Sequence, residues 1–368
     1  MEDFSEQQLF FMRRAIELGE KGAFSSQPNP WVGCVIVKNG RIIGEGYHEK
    51  AGQPHAEEKA IRSASESIEG SEVYVTLEPC CHYGNTPPCV NLLIKYKVAA
   101  VYIALLDPDS RVSGRGAASL RKAGICVYEG LGKEEAERSL KSYIYQRTHG
   151  KPWVVIKSAA TVDGQVADRD GQSQWITCPE ARADVGKLRA RSQAIIVGSK
   201  TVLQDNPLLT ARQPSGELYP CQPLRVVVDS KGVVSPEAKI FHSAGKSLYV
   251  TTPQSSEDHR KKIEDLGVDL LVTEPQGAKV NLHELMAYLS TTPTLQVLVE
   301  GGAALHTAFL KERLVHALVL YLGPKILGDQ RNPTFGDLGL RLHSSQKIVP
   351  IFSEIIGNSL KTSWEILV

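Results

Sequence analysis

Near the start of the chain an imidazole, a carboxylate and two thiols stand at suggestive spacings. His55-Ala56-Glu57 is followed by Glu78-Pro79-Cys80-Cys81-His82-Tyr83-Gly84-Asn85-Thr86-Pro87-Pro88-Cys89. His55, Cys80 and Cys89 are the ligand complement of a catalytic zinc that keeps its fourth tetrahedral position for water. Glu57, two residues past the histidine, can face that water without being a ligand, as a general acid/base must. The alternative is a structural zinc knot closed by Cys81 or His82. A structural site has no use for Glu57, so Glu57→Gln should keep zinc and lose hydrolysis only if the site is catalytic.

These side chains meet only if the right elements carry them. Ala56 to Ser67 reads as a helix that begins at His55 and ends near Gly70. Pro87 and Pro88 suit the first turn of a second helix, where a missing N–H costs nothing. Cys89 then lies near that helix's N-terminus, where the dipole favours thiolate. Cys80 follows an apolar strand from Val73 to Leu77. The combination matches the His-x-Glu plus Pro-Cys pattern of zinc nucleobase deaminases.

Around this stretch, Ser5 and Gln8 form a capping box before an amphipathic helix. A strand from Trp31 to Val37 turns at Asn39-Gly40 into a returning strand from Arg41 to Tyr47. Asn29, between two prolines, is either a rigid polar probe for a ring edge or a turn former. Beyond the cysteines come a strand at Val98 to Ala104, a short helix ending at Gly124, a strand at Ile125 to Tyr128 and one polar helix from Glu134 to about Tyr145. The order predicts a mixed sheet between helical layers.

The polar run Gln146 to Pro152 marks the expected domain boundary, with a first domain over 1–147 and a second over 151–368. Beyond it, strands and helices alternate from Trp153 to a last strand near Thr362 to Val368. This is a second α/β domain, mainly parallel. It lacks a G-x-G-x-x-G run after its first strand, so an ordinary Rossmann domain is not expected. Val297 to Ala303 instead runs from a buried strand through Gly301-Gly302 into a helix, either a cofactor-phosphate cradle or simply a tight turn. Lys157 to Gly164, Ser173 to Thr177 and Thr201 to Arg212 are polar segments placed after strands, where open α/β sheets bind ligands. Arg189 and Arg212 suit a substrate phosphate or, equally, a surface position.

With 368 residues, 42% hydrophobic and 23% charged, the chain has the composition of an ordinary globular protein of two domains. A net charge of +1 gives no footprint for nucleic acid or an anionic membrane. Seven scattered cysteines suit a reducing compartment rather than a disulfide framework. The acidic start lacks the pattern of a signal peptide, and no apolar run approaches the roughly 18 residues of a membrane span. A cytoplasmic protein is expected.

Taken together, Pro28-Asn29-Pro30-Trp31-Val32-Gly33, His55-Ala56-Glu57, Thr76-Leu77-Glu78-Pro79-Cys80, Thr86-Pro87-Pro88-Cys89, Ser173-Gln174-Trp175-Ile176-Thr177, Asp205 to Arg212 and Glu300-Gly301-Gly302 closely resemble the bifunctional riboflavin-biosynthesis deaminase/reductase family. The eight residues between Cys80 and Cys89 are the discriminating mark, since cytidine and transfer-RNA deaminases typically have two. The resemblance covers nearly the whole chain. It implies an N-terminal cytidine-deaminase-like three-layer domain with a mixed sheet, and a C-terminal dihydrofolate-reductase-like α/β domain. It also implies zinc and NADPH as cofactors and a phosphoribosylated diaminopyrimidinone as substrate, with small molecules as partners and a homo-oligomer as the assembly.

By motif position, the resemblance maps Asn29 and His48 to substrate contacts of the first domain. In the second it maps Ser173, Arg189, Leu209, Arg212 and Glu300 to substrate. It maps Ala159, Trp175, Thr201, Asp205, Ser230 and the turn Gly302, Ala303, Ala304, Leu305, His306, Thr307 and Ala308 to cofactor. Lys157 and Asp205 are the candidates for polarising or protonating the sugar. Three positions depart from the family pattern. Cys81 replaces a usual Ser, Asn85 replaces an often basic residue near the substrate phosphate, and His316-Ala317 replaces an acidic pair, with a change in interface or strand packing, rather than in chemistry, the expected consequence. The competing readings are a nucleoside or transfer-RNA deaminase with an unrelated appended domain, and a zinc-stabilised binding protein that senses a nucleotide.

Overall fold

The structure is a computed structural model, and it describes residues 4–82, 87–328 and 330–367. The chain divides into two compact units, Met1–Gly150 and Lys151–Val368. The first holds α1 (Glu6–Gly22), β1 (Gly33–Lys38), β2 (Arg41–Tyr47), α2 (Ala56–Arg62), β3 (Glu72–Val75), α3 (Cys89–Lys95), β4 (Ala100–Ile103), α4 (Arg115–Lys122), β5 (Cys126–Glu129), α5 (Lys133–Ser139) and α6 (Lys141–His149). Its five strands run in the order β2-β1-β3-β4-β5, antiparallel at the hairpin end and parallel from β3 onward.

Strand alternation sorts side chains onto the two faces of this mixed sheet. Cys34, Ile36, Val73, Val75, Val101 and Ile103 pack with Ala56, Ala60, Val90, Leu93, Ala117 and Leu120 from α2, α3 and α4. The intervening Tyr74, Tyr102 and Tyr128 form a stacked ladder on the other face, against which Phe11 of α1 lies. Helices thus cover both faces, and the expected three-layer arrangement is present. The Ser5–Gln8 capping box forms, and Asn39 and Gly40 adopt positive φ at the hairpin tip.

Two helices differ from expectation. α2 stops at Arg62 rather than reaching Ser67; at its end the Ser63 hydroxyl bonds both Ala60 O of the helix and the backbone of Glu45 on β2, tying the helix end to the sheet. The expected polar helix from Glu134 is two helices, broken at Leu140. That side chain is buried, and Ser139 before it accepts a hydrogen bond from the Trp31 indole at 3.1 Å.

The second unit contains β6 (Trp153–Thr161), α7 (Pro179–Ala190), β7 (Ala194–Gly198), α8 (Ser199–Asp205), β8 (Leu224–Val228), α9 (Lys239–His242), β9 (Ser247–Thr251), α10 (Glu257–Glu264), β10 (Asp269–Val272), the two-residue strands β11 (Pro275–Gln276) and β12 (Lys279–Val280), α11 (Leu282–Ser290), β13 (Gln296–Glu300), α12 (Ala303–Lys311), β14 (Ala317–Gly323), β15 (Ile348–Ile356) and β16 (Ser359–Ile366). Nine strands form one sheet in the order β10-β9-β8-β7-β13-β6-β14-β16-β15, parallel as far as β14 and antiparallel beyond. β15 was not expected, and β16 begins earlier than Thr362. Gly357-Asn358 joins the two as a tight hairpin, with Ile356 paired to Ser359. β15 is largely exposed, so it lacks the apolar run of a buried strand. At the departure His316, Nδ1 accepts from Val154 N at 2.9 Å and the ring stacks on Trp153, a strand-packing role as expected.

Candidate active sites

Three separate backbone features deliver the metal-type donors of the first unit. His55 is the N-cap of α2 in extended conformation and makes no side-chain cap, which frees its ring. Cys80 lies in the loop after β3, and Cys89 is the first residue of α3, with Pro88 as N-cap. The two prolines therefore precede the helix rather than fill its first turn. The Cys89 amide donates to Cys80 Sγ at 3.4 Å, using a helix-start N–H that has no partner inside the helix. α2 is seated closely on β2: a Cβ at Gly46 would lie 2.4 Å from Ala60 N and 2.5 Å from Ala56 O.

The donor atoms of His55, Cys80 and Cys89 lie within 4.8 Å of one another. Both sulfurs stand 3.5 Å from His55 Nδ1. Tetrahedral bonds of about 2.3 Å to sulfur and about 2.0 Å to nitrogen imply a ligand–ligand edge of about 3.5 Å. The donor set therefore fits zinc in both chemistry and spacing. Cys81 turns its thiol to Arg111 O at 3.8 Å, and His82 is not among the clustered donors. The described residues supply three ligands, leaving one position open. Hydrogen bonding from Cys89, then His55, pulls the Cys80 thiol down to about 4 against its burial.

Glu57 is almost wholly buried, and that burial pushes its carboxyl up to about 6. With Asn29, His48, His55 and Cys80 it lines a cavity of about 340 Å³. His48 Nδ1 faces Pro54 O at 3.3 Å, so the other ring nitrogen is the acceptor for Asn29 Nδ2 at 3.1 Å. Burial lowers the His48 pKa and keeps the ring neutral, which suits that tautomer. Residues to which the sequence reading gave no role complete the wall. Glu78, in the same loop as Cys80, accepts from the amides of Asp107, Gly114 and Ala117 at 2.8–3.2 Å. Tyr143 donates to Asp107 at 3.0 Å. Only Glu78 had a local signal, its place two residues before Cys80. Asn85 lies outside the described residues.

In the second unit, Lys157, Ala159, Ser173, Trp175, Arg189, Thr201, Asp205, Leu209, Arg212, Ser230 and Glu300 all border one cavity of about 1220 Å³. Lys157 and Ala159 lie inside β6 rather than past its end, projecting on the same face. Arg189 grips Glu300 through two bonds, Nε to Oε1 at 2.6 Å and Nη2 to Oε2 at 2.9 Å. Lys157 Nζ approaches the same carboxylate at 3.6 Å. Burial alone would raise the Glu300 pKa, but Arg189 and then Lys157 hold it at about 2. Lys157 is itself lowered, first by burial.

Ser173 donates to Asp205 at 2.9 Å, tying together two of the polar segments. Asn206 and Leu209 adopt positive φ as the chain leaves α8. Within the turn into α12, Gly302, Ala303, Ala304, Leu305 and Ala308 border the cavity, but His306 and Thr307 do not. Helical periodicity turns those two toward the body of the unit, where His306 Nδ1 faces Thr334 O at 3.2 Å and Thr307 Oγ1 accepts from Gly336 N at 2.8 Å. Their side chains pack within the unit rather than bordering the cavity.

Residues 5–105 match the cytidine and deoxycytidylate deaminase zinc-binding region, and residues 152–353 match the RibD C-terminal domain. The chain is 62% identical over 366 residues to the riboflavin biosynthesis protein RibD of Chlamydia pneumoniae, covering 100% of this chain and 97% of that one. RibD of Acinetobacter baumannii superposes with a TM-score of 0.86 at 35% identity, over 99% of both chains. A Thermotoga maritima structure, described as a diaminohydroxyphosphoribosylaminopyrimidine deaminase/5-amino-6-(5-phosphoribosylamino)uracil reductase, gives a TM-score of 0.85 at 33% identity, over 98% of this chain and 99% of that one.

Fold, sites and matched regions define a two-domain enzyme, a deaminase joined to a reductase. The chain belongs to the RibD family of bifunctional riboflavin-biosynthesis deaminase/reductases. Among the described residues no helix is long and apolar enough to cross a membrane.

Proposed function

We propose that the first unit hydrolytically deaminates 2,5-diamino-6-(5-phosphoribosylamino)pyrimidin-4(3H)-one with zinc. We assign to the second unit the NADPH-dependent reduction of the product's ribosyl side chain to ribityl. The reading of the first site is carried by one observation: buried Glu57 borders the same cavity as a cluster of three donors, with no fourth donor among the described residues.

Zinc held by His55, Cys80 and Cys89 would supply Lewis acidity and a water acidified to near neutrality. Glu57 takes the proton from the attacking water and returns it to the departing amine nitrogen, so that ammonia leaves and a ring carbonyl remains. A buried carboxyl that titrates near the working pH suits both halves of that transfer. Asn29 and neutral His48 hold the edge of the ring.

In the second unit NADPH would supply the hydride to C1′ of the ring-opened sugar. Lys157 or Asp205 provides the accompanying proton to the sugar oxygen. Arg189, Arg212 and Glu300 orient the substrate, while Ala159, Trp175, Thr201, Ser230 and the Gly302–Leu305 turn with Ala308 face the cofactor. A cavity of about 1220 Å³ exceeds the roughly 300–1,000 Å³ usual for one small ligand, which suits two.

The test uses the purified full chain with its zinc content measured. Ammonia release from the pyrimidine, followed by loss of NADPH absorbance, is expected. Activity on polynucleotide instead would favour a nucleic-acid deaminase, and zinc binding with no turnover would favour a sensor.

A further inference from the structure

Two arginines, Arg111 and Arg147, are the only lysine or arginine side chains among the described residues bordering the deaminase cavity. Their engagement differs. Arg111 is bound to Asp109 through Nε to Oδ1 at 2.9 Å and Nη2 to Oδ2 at 2.6 Å. Arg147, on α6, pairs with no carboxylate among the described residues, and its guanidinium lies over the Tyr143 ring, 5.3 Å from the centroid. The ring is itself fixed, because the Tyr143 hydroxyl donates to Asp107 Oδ1 at 3.0 Å and that oxygen also accepts from Asp109 N at 2.9 Å. Arg147 also contributes, after Arg111, to holding the Asp109 carboxyl at about 2, so its charge reaches this corner of the cavity.

The substrate assigned above carries a phosphate, and the segment after Cys80 offers Asn85 where a basic residue is usual. We infer that Arg147 is the cation that receives the substrate phosphate in the deaminase site, with Arg111 as a second donor drawn from Asp109 when the phosphate arrives. The inference rests on the proposed deaminase substrate. A guanidinium presents paired N–H donors that match two phosphate oxygens, and an aromatic face beneath it limits the conformations it must give up on binding. Asp109 opposes an anion directly, so the uncommitted Arg147 must provide the initial attraction. Phosphate recognition then draws on the last helix of the unit.

The experiment measures kcat/KM for ammonia release by the full-length zinc-loaded protein, on the phosphorylated pyrimidine and on its dephosphorylated counterpart. The wild-type chain should favour the phosphorylated compound. Arg147→Gln should reduce the ratio of the two values at least tenfold, mainly through KM, and Arg147→Lys should restore part of it. Asp109→Asn, which releases Arg111, should raise the ratio. An unchanged ratio in Arg147→Gln overturns the inference, as does an equal loss on both compounds, the mark of a purely structural role. A wild-type chain that releases ammonia from neither compound overturns the substrate assignment and this inference together. An active wild type with an insensitive ratio overturns this inference alone.

Discussion

The two cavities solve different problems with different materials. The first is small, and its working groups come from a helix cap, a loop after a strand and a helix start, brought to separations of 3.5 Å. The second has more than three times the volume, and its charged centre is a buried carboxylate held between two cations on β6, β13 and α7. A hydrolytic site needs only one ion, one water and one flat ring, so short-range convergence is enough. A hydride-transfer site must hold two large ligands, and buried charges fix its floor while chain segments beyond the strands form its walls.

This contrast is sharpest under loss of a metal ligand. Cys89→Ala should abolish measurable ammonia release and bound zinc while NADPH oxidation on pre-deaminated substrate persists. Glu57→Gln should slow deamination about 10³-fold with zinc content intact, because general acid–base catalysis contributes roughly 10²–10⁴-fold. Zinc loss in that variant would make Glu57 a structural residue.

The charged centre of the second unit should respond through stability as well as rate. Glu300→Gln leaves Lys157 and Arg189 buried without their counter-charge, an imbalance worth about 3 kcal/mol. Denaturant unfolding should show that loss in the second unit together with slowed NADPH oxidation, while deamination is unaffected.

The smallest effect concerns His306, which burial lowers to about 4. Between about pH 6.5 and pH 4 the unfolded chain binds a proton there that the folded chain does not. Stability from this group is therefore full above pH 6.5 and falls as pH drops toward 4. His306→Gln should flatten that part of the stability profile of the second unit. An unaltered slope would show that His306 does not control it.

Legibility in the sequence followed the range of the interactions. The donors and Glu57 were readable because their spacing and residue types specify a metal chemistry, and Asn39-Gly40 was readable because a hairpin tip needs positive φ. The end of α2 was not, since Ser63 bonds a backbone on β2 that no local pattern announces. β15 escaped because an exposed strand carries little apolar signal. Tyr143 and Arg147 escaped because they enter the cavity from a helix more than fifty residues beyond Cys89, and Arg147 falls in the polar run expected to break that helix, whereas α6 continues to His149.

By itself the amino-acid sequence determined which atoms could bind a metal, which carboxylate could move a proton and how strands and helices alternate in two successive domains. These follow from residue chemistry and from periods of two to four residues. Only the tertiary structure decided that the donor cluster numbers three among the described residues, that His306 and Thr307 turn away from the cavity, and that Glu300 sits between Lys157 and Arg189. Each depends on the direction of side chains brought together across tens to hundreds of residues, where sheet order and helix rotation, rather than local spacing, set the distance.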